Sequence, residues 1–160
     1  MAEMYSLDEE VKQYWSIAGV RRALFYTFIA GMSEFLFLDD FVESWPLPYM
    51  VFTGLVFLLF MILAFLLPSI QYRHWRFGLG EGELILRRGI FTKVDTTAPY
   101  NRIQHLDVKE SFFERKFGIA TLIIYTAGSR GADLVIPGLP KDYAFELRDS
   151  LNEYVKEDEV

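Results

Sequence analysis

Hydrophobic positions divide the chain into two textures. From Trp45 to Tyr72, twenty-eight residues pass without a charged side chain. Within that run, Tyr49 to Ile70 reads YMVFTGLVFLLFMILAFLLPSI. About 20 apolar residues in a helix cover the ~30 Å hydrocarbon core of a bilayer, so the pattern predicts a membrane span over 49–70. An earlier apolar stretch, Ala23 to Leu38, lies between Arg21–Arg22 and Asp39–Asp40. It is short by itself, and it reaches across when Val20 joins it and the arginines snorkel to the interface. The expected unit is a transmembrane helical hairpin within 21–71, with spans at about 20–38 and 49–70. Trp45, Tyr49, Tyr72 and Trp75 fall where an aromatic belt belongs.

The flanks orient the hairpin. The loop from Asp39 to Pro48 has acids and no Lys or Arg, whereas Lys12, Arg21, Arg22, Arg73 and Arg76 stand at the other ends. The excess of Lys and Arg on the inner side places both termini in the cytoplasm of a multi-pass inner-membrane protein. Glu34 lies inside the first span. It either reaches the outer interface near Asp39 or forms a buried pair within a helix bundle. Residues 1–20 lack the basic start and apolar core of a signal peptide. Leu7 to Val20 places Val11, Tyr14, Trp15 and Ala18 on one helical face, and Ser6 followed by Glu9 matches a capping box. This segment reads as an interfacial amphipathic helix or as an extension of the first span.

From Tyr72 onward apolar runs shorten and alternate with polar residues. Trp75, Phe77 and Leu79 suit a half-buried strand; Gly80-Glu81-Gly82 is a turn; Glu83 to Arg88 resumes as a strand. Gly89 marks a turn or bulge. Further strands are expected over Phe91 to Thr97, near Arg102 to Glu110, over Ala120 to Thr126 and over Ala132 to Pro137. A helical turn is expected over Phe112 to Phe117, with Gly118 as its stop. Pro140 opens a last helix with Ala144, Leu147, Leu151 and Tyr154 in one stripe. Short antiparallel strands closed by one helix form an α+β membrane protein whose 72–157 region is a PH-like bent sheet or partial barrel. An acidic tail, 158–160, follows.

Composition narrows the chemistry. The 160 residues carry a net charge of −6 and no cysteine, which excludes disulfides and thiolate metal sites and argues against a broad nucleic-acid surface. The two histidines, His74 and His105, are too few for a typical zinc site. No catalytic constellation, cofactor or metal is expected. The basic residues Arg73, Arg76, Arg87 and Arg88 are candidates for lipid or partner contact near an anionic leaflet.

Three stretches carry a resemblance: Gly89-Ile90-Phe91, then Thr97 to Val108, then Phe113 to Thr121. The spacing of Pro99, Arg102-Ile103-Gln104, Arg115 and Gly118-Ile119-Ala120 is similar to that of the bacterial pleckstrin-homology-like domain of YdbS-type membrane proteins. The resemblance implies two membrane helices and one cytoplasmic domain, with no enzyme activity. It also implies work beside longer relatives that hold several copies of the domain. On the residues alone, Arg102 and Arg115 would clamp loop carbonyls or a carboxylate such as Asp107 or Glu114, Gln104 leans structural, and Gly118 supplies positive φ. The expected function is a membrane-anchored interaction module that binds a protein partner or self-associates. The alternatives are an anionic-lipid-responsive domain and an accessory subunit of a larger membrane complex that uses Glu34.

Overall fold

The fold comes from a computed structural model that describes residues 3–37, 51–128 and 134–157. The expected outer loop, with Trp45 and Tyr49, the turn residues 129–131 and the acidic tail lie outside the described residues. The chain divides into two compact units, residues 1–14 with 70–160, and residues 15–69.

The first unit holds two antiparallel sheets. One has the order β1-β2-β3-β4, built from Glu3–Tyr5, Arg76–Leu79, Glu83–Arg88 and Val94–Pro99; the other has the order β5-β6-β7, from Ile103–Lys109, Ile119–Thr126 and Leu134–Pro140. In β3, Leu84 and Leu86 are buried while the residues between and after them are partly open, the period-2 pattern of a strand with one covered face. A 3-10 turn, Tyr100–Arg102, joins the two sheets. Strand β6 is the middle of its sheet and is buried along most of its length. Burial of Leu122, Ile124 and Ile136 at 0% exposure stabilises the fold by about 1.5–3 kcal/mol each.

Between β5 and β6 stands a short helix, α3 in the final order (Phe112–Lys116). Ser111 caps it by accepting from the Glu114 backbone N–H at 3.3 Å, and the Glu114 carboxylate accepts from the Ser111 N–H at 2.7 Å. The same carboxylate accepts from the Thr121 hydroxyl at 2.6 Å, so this buried acid ties α3 to β6. Gly118, at φ +67°, turns the chain into β6. The C-terminal helix α4, Lys141–Glu157, packs against β5, β6 and β7. Its buried stripe is Ala144, Leu147 and Leu151, the i, i+3, i+7 face of an amphipathic helix.

Two long helices complete the chain: α1, Glu10–Phe37, and α2, Val51–Arg73. Within the 15–69 unit they approach closely at Gly19, where a Cβ would stand 2.8 Å from the Ala64 Cα and 3.1 Å from its carbonyl oxygen. Only glycine fits such a crossing. Pro68 lies inside α2 and is buried. Without an N–H it cannot donate to the carbonyl of Ala64, four residues back. Large apolar side chains on both helices, among them Leu24, Phe25, Phe28, Phe35, Phe52, Leu55, Leu58 and Phe65, are more than half exposed.

Three features differ from the sequence-based expectation. Among the described residues one helix, α2, is long and apolar enough to cross a membrane, where a pair was expected. In α1, Arg21, Arg22 and Glu34 put three charges into any 18-residue window that covers them, and Phe37 is its last described residue. Ahead of α1 an unexpected strand, Glu3–Tyr5, pairs with β2 in the register Glu3↔Leu79 to Tyr5↔Phe77, and the helix expected from Leu7, as a surface helix or as an extension of the first span, begins at Glu10 and continues into α1. Leu7, ahead of this helix, and Val11, in its first turn, are 3% and 0% exposed, and Val11 lies against Gly138 of β7. The sheet unit therefore draws on both ends of the chain. Phe91, finally, is not the start of a strand, since β4 opens at Val94.

Candidate functional site

A groove opens between the β2–β3 turn and α4. The turn is tight: the Gly80 N–H donates to the Glu83 carbonyl at 2.8 Å, and Gly82 holds φ +92°. Tyr100 fixes the turn from below, donating its hydroxyl to the Gly80 carbonyl at 3.1 Å and its backbone N–H to the Gly82 carbonyl at 2.9 Å. Across the groove, the Tyr154 ring from α4 stacks on Tyr100 with centroids 5.2 Å apart. Leu79, Ile85, Leu147 and Leu151 supply the apolar wall, Ser150 a polar edge, and Glu81 and Glu83 two carboxylates; no Lys or Arg lines it among the described residues. The volume is about 780 Å³, inside the ~300–1,000 Å³ range of binding clefts. Burial raises the pKa of the Tyr100 hydroxyl, and the neighbouring Tyr154 and Glu83 add to the rise. Tyr100 thus stands as a neutral hydroxyl and the two rings as a stacking platform, in a cleft where the charged groups among the described residues are the carboxylates of Glu81 and Glu83.

The residues marked in the sequence fall elsewhere. Pro99 ends β4 opposite Glu83, and Ile103 is a core residue of β5 at 3% exposure. Arg102, Gln104 and Arg115 are exposed. The clamp expected of the two arginines does not form among the described residues. Their expected carboxylates are already engaged: Glu114 by Ser111 and Thr121, and Asp107 by His105 Nε2 at 2.8 Å. The His105–Asp107 pair is exposed on both sides. Among the described residues no three His, Cys, Asp or Glu side chains gather in a metal-holding cluster.

The basic set splits into two kinds. Arg76 turns inward and donates to the carbonyls of Trp75 at 2.7 Å and Tyr72 at 3.4 Å, and Arg87 pairs with Asp95 at 3.0 Å. His74 Nδ1 lies 2.7 Å from the Ile70 carbonyl in the last turn of α2. Arg73 is exposed, and Arg88 lies over the Trp75 ring, 5.9 Å from its centroid.

Glu34 is 7% exposed and engages α2 directly. Its carboxylate accepts from the Thr53 hydroxyl at 2.6 Å and the Thr53 backbone N–H at 3.2 Å. Thr53 is in the first turn of α2, where backbone N–H groups lack intrahelical partners and the helix dipole favours a negative group.

The residues of the groove were not marked by the sequence, since its two walls are about 70 residues apart along the chain and nothing local joins them. Glu114 was named only as a partner for the arginines, although Ser111-Phe112-Phe113-Glu114 carries the capping-box signature of the role it plays.

The model for the bacterial PH domain family matches residues 28–155. The transmembrane protein YdbS of Bacillus subtilis is 32% identical over 109 residues, which cover 68% of this chain and 67% of that one. The transmembrane protein YdbT of the same organism is 32% identical over 81 residues, 49% of this chain and 16% of YdbT. No solved structure matches with significance.

Proposed function

The chain belongs to the bacterial PH domain family, and from that premise we propose that it is a membrane-anchored interaction module. Its groove between the β2–β3 turn and α4 receives a segment of a protein partner, or of a second copy of this chain. The module performs no catalysis. The observation that carries this reading is the groove itself, with an apolar wall, two stacked tyrosines and two carboxylates. Clefts beside a helix accept extended or helical peptides, with apolar pockets for affinity and charge for selection. In this reading the partner is either a second copy or a longer relative with several copies of the domain; YdbT, which this chain matches over only 16% of its length, is a longer relative.

The anchor in this reading is a two-span hairpin with both ends on the cytoplasmic side of the inner membrane. One span is α2; the second is the apolar stretch at about 20–38, most of which lies in α1. Support comes from the ladder between β1 and β2. Tyr5 and Phe77 are partners in one sheet, so they stand on the same side of any bilayer. A chain that leaves at one and returns at the other crosses an even number of times. The Lys and Arg residues at both roots, Lys12, Arg21, Arg22 and Arg73, agree with the inner side.

The test is a photo-crosslinking amino acid placed at Ser150, an exposed groove residue, in the full chain in its native membrane. A discrete protein adduct is expected, and it should vanish when Glu81 and Glu83 are both changed to Lys. An adduct indifferent to that reversal, or none at all, refutes the groove as the partner site.

A further inference from the structure

We propose that the β3–β4 hairpin tip, Gly89 to Lys93, is an anionic-membrane contact in which Phe91 enters the bilayer interface and Arg88 and Lys93 meet the lipid phosphates. The tip is at the opposite end of β3 from the groove turn, and this inference does not depend on the groove's role.

Register carries the argument first. Strand β2 starts at Arg76, three residues after α2 ends at Arg73. Arg76 pairs with Arg87, so β3 runs back toward the end from which β2 came, and Arg88 is the last paired residue, opposite Val94. The chain from Gly89 to Lys93 then continues beyond the level of Arg76. With a rise of about 3.3 Å per residue, Phe91 lies roughly 13 Å past Arg87 at most. That is the end of the ladder where the Trp75 ring and the exit of α2 stand. The groove turn, Gly80 to Gly82, is at the opposite end of the same two strands.

Composition and exposure carry it second. Phe91 is 98% exposed, the most exposed large apolar side chain among the described residues. A lone aromatic held fully in water gains by entering an apolar phase, and aromatic rings favour the bilayer interface. The tip is a tight turn: Gly89 adopts φ +108°, and any Cβ there would collide with the Thr92 carbonyl. The turn carries Phe91 at its apex. Lys93 is exposed, and Arg88 lies over Trp75, with its guanidinium beside an interfacial aromatic. An apolar point with a cationic collar complements an anionic leaflet in both of its layers.

The experiment uses the full chain in vesicles of zwitterionic lipid, with and without an anionic fraction. The chain has no cysteine, so a nitroxide on Thr92→Cys reports the tip while Phe91 stays in place. A label on Thr97→Cys, an exposed β4 residue that pairs with Ile85 toward the far end, is the reference. The Thr92 label is expected to be more accessible to dissolved oxygen than to an aqueous nickel complex, and more so with anionic lipid. Adding Phe91→Asp should return its ratio to the Thr97 value. Preference for the aqueous reagent at both sites overturns the proposal, as does a Thr92 label shielded from both reagents, which marks a protein cover. An oxygen preference that ignores the anionic fraction overturns the part given to Arg88 and Lys93.

Discussion

Substituting Gly138 by Ala tests whether the residues before the long helices are built into the sheet unit. Gly138 lies in β7 at φ +64°, and its carbonyl accepts the Asp8 backbone N–H at 2.9 Å. A Cβ at this position would overlap the Cβ and Cγ2 of Val11, in the first turn of α1. Two costs follow. Left-handed backbone costs a non-glycine residue about 1–2 kcal/mol, and forcing a methyl into a filled site costs about 1–3 kcal/mol. Their sum, about 2–5 kcal/mol, lowers the unfolding midpoint by about 10 °C or more, at roughly 4–8 °C per kcal/mol for a unit near 100 residues. The steric share belongs to the contact, so a cycle with Val11→Gly isolates it. Val11→Gly alone loses a fully buried side chain, about 1.5–3 kcal/mol, plus about 1 kcal/mol for glycine in a helix. In the double variant the collision is gone, and about 1–3 kcal/mol should return. Thermal unfolding of the full chain in lipid nanodiscs, followed by tryptophan fluorescence, measures all four corners. Additivity within about 0.5 kcal/mol would falsify the docking of Val11 on Gly138.

Other outcomes follow from the same contacts. Glu114→Ala strands the Ser111 N–H and the Thr121 hydroxyl, and at about 1–3 kcal/mol for a buried group left unpaired it should lower the midpoint clearly; an unchanged midpoint refutes the buried tie. Glu34→Ala should loosen the helical unit by about 1–2 kcal/mol through the lost contact with the first turn of α2, seen as faster proteolysis between the helices with no loss of sheet signal. Burial, with help from Tyr154 and Glu83, raises the pKa of Tyr100, and burial, with help from Glu146, raises that of Tyr143, both above the ordinary 10.0. The folded state then holds protons that the unfolded chain releases. Stability from these groups is complete below about pH 10 and declines as pH rises through the folded values; ultraviolet phenolate absorbance should show two late-ionising tyrosines, and Tyr100→Phe should remove one. Alkaline carbonate washing should leave the chain in the membrane pellet, and its release would refute the anchor.

What the sequence made legible was whatever a local period encodes. The uncharged run ahead of Arg73 specifies α2, the alternation through Leu84 and Leu86 specifies β3, and the stripe of Ala144, Leu147 and Leu151 specifies α4. Illegible features depend on partners distant along the chain. Glu-Met-Tyr at 3–5 has no strand periodicity of its own and becomes β1 only because β2, more than seventy residues later, offers an edge. Leu7 and Val11 look like the face of a membrane-surface helix, and apolar spacing does not tell lipid from a protein core. Phe91 looks like the start of a strand because a β-prone aromatic two residues after a glycine reads alike in a turn and in a ladder. Arg102 and Arg115 were read as a clamp from donor count alone, and the carboxylates they needed had closer partners.

The split origin of the first sheet sets an order for biosynthesis. A ribosome adds about 5–20 residues per second, so Tyr5 waits several seconds for Phe77. During that interval the greasy segments have to be handed to the insertion machinery, because they are made first. Closure of the ladder is thus a late event, possible only after α2 has been made. A chain in which a single helix crossed a bilayer would hold the first strand and its edge on opposite sides and leave the ladder open.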